Sequence, residues 1–303
     1  MLNFERAQTS PRVFVQLTGL PPAAFAQLLP AFAQAYHDRP RPQKKPSTKP
    51  RRRPGGGRHS VLATRADKLF FLLFYFRQYP TQETLAFLFG FSQGQANHWI
   101  HRLTPLVNQA LGYQLQLPAR AAAELHEVLA ACTGLEFLID GTERPIRRPQ
   151  NSQRGKDDYS GKKKRHTKKN IVLTDKATGK VVGLGQTQPG RTHDKACVDA
   201  EGYEYPVGST LYQDTGFQGY QPPGVTTRQP TKKPRGKERT AEQKAANQEI
   251  SRERVAVEHS IGGVKIFRIV HDVFRNVKEG FVDRVMETAC GLFNLRRAVT
   301  ATV

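Results

Sequence analysis

The sequence predicts a mixed α/β domain preceded by a small all-α region, and three observations carry that expectation. Short apolar runs of strand-like composition cluster between Leu135 and Asp214. Helical periodicity dominates before them and again from Thr240 to the end. A basic stretch rich in Pro and Gly separates the first helical segment from the second.

At 303 residues the chain has room for one large domain and one or two small ones. The expected division is a helical segment over 1–38, a linker over 39–60, a helical domain over 61–118 and the α/β domain over 119–303. In the first segment Phe25, Leu28, Leu29 and Phe32 recur at helical spacing after Pro21 and Pro22, where a helix start tolerates proline. Between Arg39 and Arg58, nine basic residues and no acidic one fall among prolines and Gly55 to Gly57, so no core forms there. A solvated linker and an arm that tracks phosphates both fit that composition. From Thr64, Leu69, Leu72, Leu73 and Phe76 share a helix face before the break at Tyr79 and Pro80.

Four strands are expected at Leu135 to Asp140, Asn170 to Asp175, Val181 to Gln186 and Ser209 to Asp214. The second and third are joined by Asp175 to Lys180, short enough for a hairpin, so the first three strands should run antiparallel with a later strand beside the first. A helix is expected near His193 to Ala200. Near the end, Val285, Thr288, Ala289, Leu292 and Leu295 give Asp283 to Ala298 one apolar face, suited to covering the sheet. No repeat is visible at periods of about 20 to 50 residues.

Forty-seven basic against 26 acidic side chains give a net charge of +21, which points to a polyanionic partner, nucleic acid first. A ribosome-associated protein would share that charge, which names no reaction. Cys132, Cys197 and Cys290 are odd in number and outside any CxxC pattern, against a disulfide framework or zinc site and in keeping with a reducing cytoplasm. The longest apolar run, Leu69 to Phe76, is far short of the roughly 20 residues of a membrane span, and no signal-peptide pattern opens the chain. A soluble cytoplasmic protein without a membrane partner is expected.

Within the helical domain, Thr81 to Phe89 and Ser92 to Leu103 read as two helices joined at Gly90 and Phe91, a helix-turn-helix. Leu85, Leu88, Phe91, Ala96 and Ile100 would bury between them, while Ser92 caps the second helix. Gln93, Gln95, Asn97 and His98 are left partly outward, and Gln and Asn suit adenine edges in the major groove. A hairpin used only for packing would show the same pattern; the charge of the chain favours DNA reading.

Three acids stand out by context. Asp140 ends an apolar strand before Gly141 and Thr142, and Asp214 follows a short strand before the turn-forming Gly216 and Gly219. Glu258 shares a helix face with Arg254 and with Ile261 or Gly262. Carboxylates delivered from two strand ends and a helix can converge on hard divalent ions. Arg147 to Lys169 holds ten Lys and Arg against Asp157 and Asp158, too dense to pack without anions and suited to lie along a DNA backbone through Lys162, Lys163, Lys164 and Arg165. His193 could assist proton transfer, with Asp194 capping or orienting the following helix.

These pieces, SPRVFVQLTGL, the helix-turn-helix, FLIDGTERPI, YSGKKKRHTKKN, GRTHDKACVD, LYQDTGFQGY, RVAVEHSIGGVKIFRI and CGLFNLRRA, together resemble the DDE transposases of insertion sequence family five, related to Harbinger-type endonucleases. The resemblance covers nearly the whole chain. It implies an RNase H-like core and a metal-binding triad of Asp140, Asp214 and Glu258 holding two Mg²⁺ ions, with Mn²⁺ able to substitute. It further implies cleavage of double-stranded DNA at element ends, joining to target DNA by the freed 3′-hydroxyl, and a homodimer on DNA in the bacterial nucleoid. Arg254 and Lys265 would contact phosphates of the element end. Ser251 stands where the family signature has tyrosine. A domesticated or inactive relative that only binds DNA, and a nuclease that only hydrolyses, remain the alternatives.

Overall fold

The computed structural model describes residues 1–39, 60–233, 236 and 238–301. The expected linker, 39–60, lies almost wholly outside the described residues. The chain divides into two compact units, Met1–Leu115 and Gln116–Val303.

The first unit is all helical: α1 (Phe4–Gln8), α2 (Pro11–Thr18), α3 (Pro22–Asp38), α4 (Arg65–Gln78), α5 (Gln82–Phe89) and α6 (Gln93–Tyr113). Asn3 and Ser10 cap α1 and α2 through their side chains. One apolar face is expected for α4, but every residue from Lys68 to Phe76 is buried. This helix packs against α2, α3 and α6 together, and a helix enclosed by neighbours is apolar all round. Phe70 lies 6.1 Å from both Phe14 and Phe89, and Phe71 meets Phe89 edge-on at 5.0 Å. Tyr79, with φ of 46°, closes α4 in the left-handed region.

Gly90, with φ of 75°, makes the turn between α5 and α6 that a side chain would strain. Ser92 opens α6 in a capping box with Gln95. Leu85, Ala96 and Ile100 are buried as expected, Leu88 and Phe91 only half so. The expected end of α6 at Leu103 is too early: the helix runs through Pro105 to Tyr113, because Leu106, Val107, Ala110 and Leu111 keep its face buried and offset the one lost backbone bond.

The second unit is a mixed sheet between helices. Its elements are α7 (Ala122–Ala130), β1 (Glu136–Pro145), α8 (Ser152–Asp157), β2 (Tyr159–Ser160), β3 (Arg165–Asp175), β4 (Val181–Leu184), β5 (Gln188–Pro189), α9 (Asp194–Glu201), β6 (Thr210–Tyr212), β7 (Thr226–Arg228), α10 (Ala241–Lys265), α11 (Arg268–His271) and α12 (Phe281–Thr300). β1 pairs antiparallel with β3, β3 with β4, and β6 lies parallel beside β1. The expected strand order is not strictly met. β2 and β5 add short pairings to β3, and β7 extends the sheet parallel to β6. β1 and β3 are also longer than expected, their ladder continuing to Pro145 opposite Thr167. The basic run therefore enters the sheet instead of lying wholly outside it.

Alternation along β1 distributes its side chains between two faces. Phe137 and Ile139 join Ile171, Leu173, Leu125, Leu129 and Val198 in one buried cluster beneath α7 and α9. The opposite face is covered by α10 and α12. There Asn294 accepts from the Val181 backbone N–H at 2.8 Å and donates to its carbonyl at 2.8 Å, tying α12 to β4. The five apolar positions expected for the C-terminal helix are all buried. Among the described residues no single helix is long and apolar enough to cross a membrane.

Candidate active site

Asp140 does not end its strand. It sits within β1 opposite Val172, and two-residue alternation puts it on the face covered by α10. Asp214 follows β6 two residues past Tyr212, and its carboxylate accepts from the Thr215 backbone N–H at 2.6 Å. Because β6 is the parallel neighbour of β1, both aspartates leave the same side of the sheet. The guanidinium of Arg254 on α10 lies 3.8 Å from Asp140 and 3.7 Å from Asp214. Glu258, Ile261 and Lys265, at intervals of four, three and four along α10, line the same cleft of about 710 Å³; Gly262 does not.

Burial pushes the Asp140 carboxyl up to about 6. Arg254 and the Gly141 N–H oppose that rise, whereas Asp214 and Asp194 add to it. Cations share the lining with these acids. Gly161 to Lys164 form the tip of the β2–β3 hairpin, with the Lys163 N–H held by Ser160 Oγ at 3.2 Å. Lys162 and Lys163 line the cleft; Lys164 and Arg165 are exposed outside it. Burial lowers the Lys265 ammonium below its usual range, and the nearby Lys163 lowers it further. Such a lining favours a polyanion.

Lys168 and Lys169 do pack against the protein: Lys168 pairs with buried Asp158 at 2.7 Å, and Lys169 with Asp194 at 2.8 Å and Glu143 at 3.8 Å. Internal carboxylates, Asp158 within the run and Glu143 and Asp194 outside it, supply the anions. Asp194 does not cap α9; it is the first helical residue, after His193, whose side chain makes no capping bond. It is wedged between β1 at Gly141 and the turn after Asp214 at Gly216 instead. A Cβ on Gly141 would come within 2.7 Å of Asp194, and so would one on Gly216. The Asp194 carboxylate thus packs directly against both glycines. His193 is exposed and lines the cleft.

A second polar group went unnoticed in the sequence. Arg144, on the Asp140 face of β1 and 1% exposed, donates to the Val282 carbonyl at 2.7 Å and to Asn170 at 2.6 Å. Thr187 bonds Asp283 at 2.6 Å, and Asp283 pairs with Arg120 at 2.9 Å. Extending the alternation past Asp140 to Thr142 and Arg144 would have found it.

Matching this arrangement, a family model described as DDE superfamily endonuclease covers residues 139–294. The chain belongs to the DDE superfamily of endonucleases. A second model, the helix-turn-helix of DDE superfamily endonuclease, matches residues 61–112. The chain is also 28% identical over 236 residues, 78% of its length and 82% of the relative's, to the probable transposase for insertion sequence element IS702 of Microchaete diplosiphon. No solved structure matches it.

In this DDE chain the residues expected to read bases are on α6, in the first unit. Three of them already have internal partners: Gln95 accepts from the Ser92 N–H at 3.1 Å, while Gln93 and Asn97 donate to Gln82 at 2.6 and 3.2 Å. His98 lies 3.5 Å from an Arg102 nitrogen.

Among the described residues, no three His, Cys, Asp or Glu side chains are gathered tightly enough to hold an ion. The donor chemistry nevertheless fits one. Asp140, Asp214 and Glu258 offer only carboxylate oxygens, the preference of hard divalent cations. Asp140 is also half-buried with a guanidinium beyond hydrogen-bonding distance as its counter-charge.

Proposed function

We propose that this DDE endonuclease is a transposase that cuts DNA at the ends of a mobile element and joins the freed ends to target DNA. One observation carries the reading: acids from β1, from the end of β6 and from α10 line a single cleft together with Lys162, Lys163, Arg254 and Lys265. The order of these acids along the chain, the parallel placement of β6 beside β1 and the helical position of the third acid support an RNase H-like core.

In this reading Asp140, Asp214 and Glu258 hold divalent cations, Mg²⁺ or Mn²⁺. Such ions, when bound, stabilise charge on the phosphate and on the attacking and leaving oxygens. Arg254, Lys162, Lys163 and Lys265 position the phosphate backbone, cations being suited to fix register without reading sequence. Lys164 and Arg165 extend that track. Arg254 exchanges its place between the two aspartates for a phosphate when the site loads. Gln93, Gln95, Asn97 and His98 are proposed to read the element end, at the cost of the internal bonds that Gln82 and Ser92 now provide. Two ends must meet for joining, so the working form is a homodimer on DNA in the nucleoid.

The test uses purified protein, DNA carrying the sequences that flank its own gene, and Mg²⁺ or Mn²⁺. The wild type should cleave and join, and Asp214→Asn should bind the same DNA with unchanged affinity and do neither. Cleavage without joining of a 3′-hydroxyl end would leave a hydrolytic nuclease. Binding without cleavage by the wild type would favour a DNA-binding regulator. Wild-type-like cutting by the variant would remove Asp214 from the site.

A further inference from the structure

A second cavity, of about 790 Å³, opens beside the acid cleft and shares Gly161 and Arg191 with it. Its other walls include Arg148 and Lys156 from the segment around α8, and Tyr159 and His166 from the β2–β3 hairpin. Among the described residues, no carboxylate lines it. The neighbouring acids are engaged elsewhere, Asp158 with Lys168 at 2.7 Å and Asp157 with Gln153 at 3.0 Å. Arg191 is fixed at the rim by its backbone N–H, which donates to the Asp157 carbonyl at 3.1 Å.

The aromatic pair gives the cavity its character. Tyr159 and His166 are cross-strand partners whose rings meet edge-on at 5.5 Å. Tyr159 nevertheless remains 42% exposed, which is unusual for a ring that could bury against the sheet. An exposed ring edged by three permanent cations matches an unstacked base and its flanking phosphates. Bases stack on aromatic rings whatever their sequence, and Arg and Lys hold the backbone. Neither a duplex, whose bases are already stacked, nor an acidic peptide, which has no need of the ring, uses both features.

We infer that this cavity is a single-strand site that takes one unpaired nucleobase of the DNA being processed in the neighbouring cleft, stacked on Tyr159 and held through its phosphates by Arg148, Lys156 and Arg191. The inference rests on the reading of that cleft as a DNA-processing site. It adds a preference for DNA whose strands are separated next to the reacting phosphate. Extruding a base costs least where it is already unpaired, so overhangs and junctions bind best.

The test compares, by fluorescence anisotropy with the full chain in EDTA, a duplex bearing a short single-stranded thymidine overhang with a blunt duplex of the same paired sequence. The wild type should prefer the overhang. Tyr159→Ala should weaken overhang binding about tenfold, within the range for loss of one base stack, and leave blunt-duplex affinity and thermal melting unchanged. Tyr159→Phe should retain the preference. Equal binding of both DNAs by the wild type, or an equal loss on both in Tyr159→Ala, would overturn the proposal. So would displacement of the overhang by free thymidine monophosphate at comparable concentration, which would mark a mononucleotide pocket instead. Because binding is read without a divalent ion, failure of cleavage counts against the proposed function and not against this site.

Discussion

The titration of Asp140 has a definite sign. Burial raises the folded carboxyl to about 6 from an ordinary value of 3.8. Between those values the folded protein keeps a proton that the unfolded chain has released, so stability falls as pH rises through the window and the penalty is complete above it. In metal-free buffer at pH 7.5, Asp140→Asn should therefore be more stable than the wild type by on the order of 1 to 2 kcal/mol, with the gap closing toward pH 4. Urea unfolding in EDTA at the two pH values measures this, and a wild type more stable than the variant at pH 7.5 would contradict it. Asp194 makes a different prediction. Paired with Lys169 and wedged against Gly141 and Gly216, it packs beside both aspartates and is expected to position them. Asp194→Asn should lower cleavage by about 10- to 100-fold, the usual effect of groups that orient metal ligands, and raise the Mn²⁺ concentration needed for half-maximal rate. A lower rate with unchanged Mn²⁺ dependence would remove that role.

At the scale of elements, β1 does two jobs from one face. Asp140 supplies the cleft, and Arg144, four residues on, anchors the strand to α12 and β3 through Val282 and Asn170. Removing a buried charge that satisfies so many partners costs about 3 to 5 kcal/mol. Arg144→Ala should show a loss of that size in urea unfolding while a well-folded remainder still binds DNA; a loss under about 1 kcal/mol would mean that the network is not needed. The same elements show what could be read without coordinates. The strands at Leu135, Asn170, Val181 and Ser209 were visible because each is a compact apolar run, and the face shared by Arg254 and Glu258 followed from helical spacing alone. The continuation of β1 beyond Asp140 was hidden by Gly141, Thr142 and Glu143, which break the apolar pattern; Glu143 is held there by Thr167 and Lys169. The start of β3 was hidden by lysines whose pairing with Asp158, ten residues back, and Asp194, beyond the next strands, local pattern does not reveal. Local pattern registers apolar burial well and paired charge poorly.

At the scale of the molecule, the net charge of +21 announced a polyanion and the three acids announced metal chemistry, but neither said that the two aspartates would share Arg254. That convergence depends on the parallel placement of β6 beside β1, a pairing across some seventy residues of chain that periodicity cannot encode. The helix-turn-helix was legible because its signals, Gly90, Ser92 and the alternating burial around them, are local; the hydrogen bonds that occupy Gln93, Gln95 and Asn97 were not. The central claim is that Asp140, Asp214 and Glu258 act as one cation site, and Mn²⁺ binding followed by electron paramagnetic resonance tests it most directly. The wild type should bind Mn²⁺ with an affinity that Asp140→Asn, Asp214→Asn and Glu258→Gln each weaken, and Mg²⁺ should compete. Mn²⁺ binding left unchanged by all three substitutions would contradict the account.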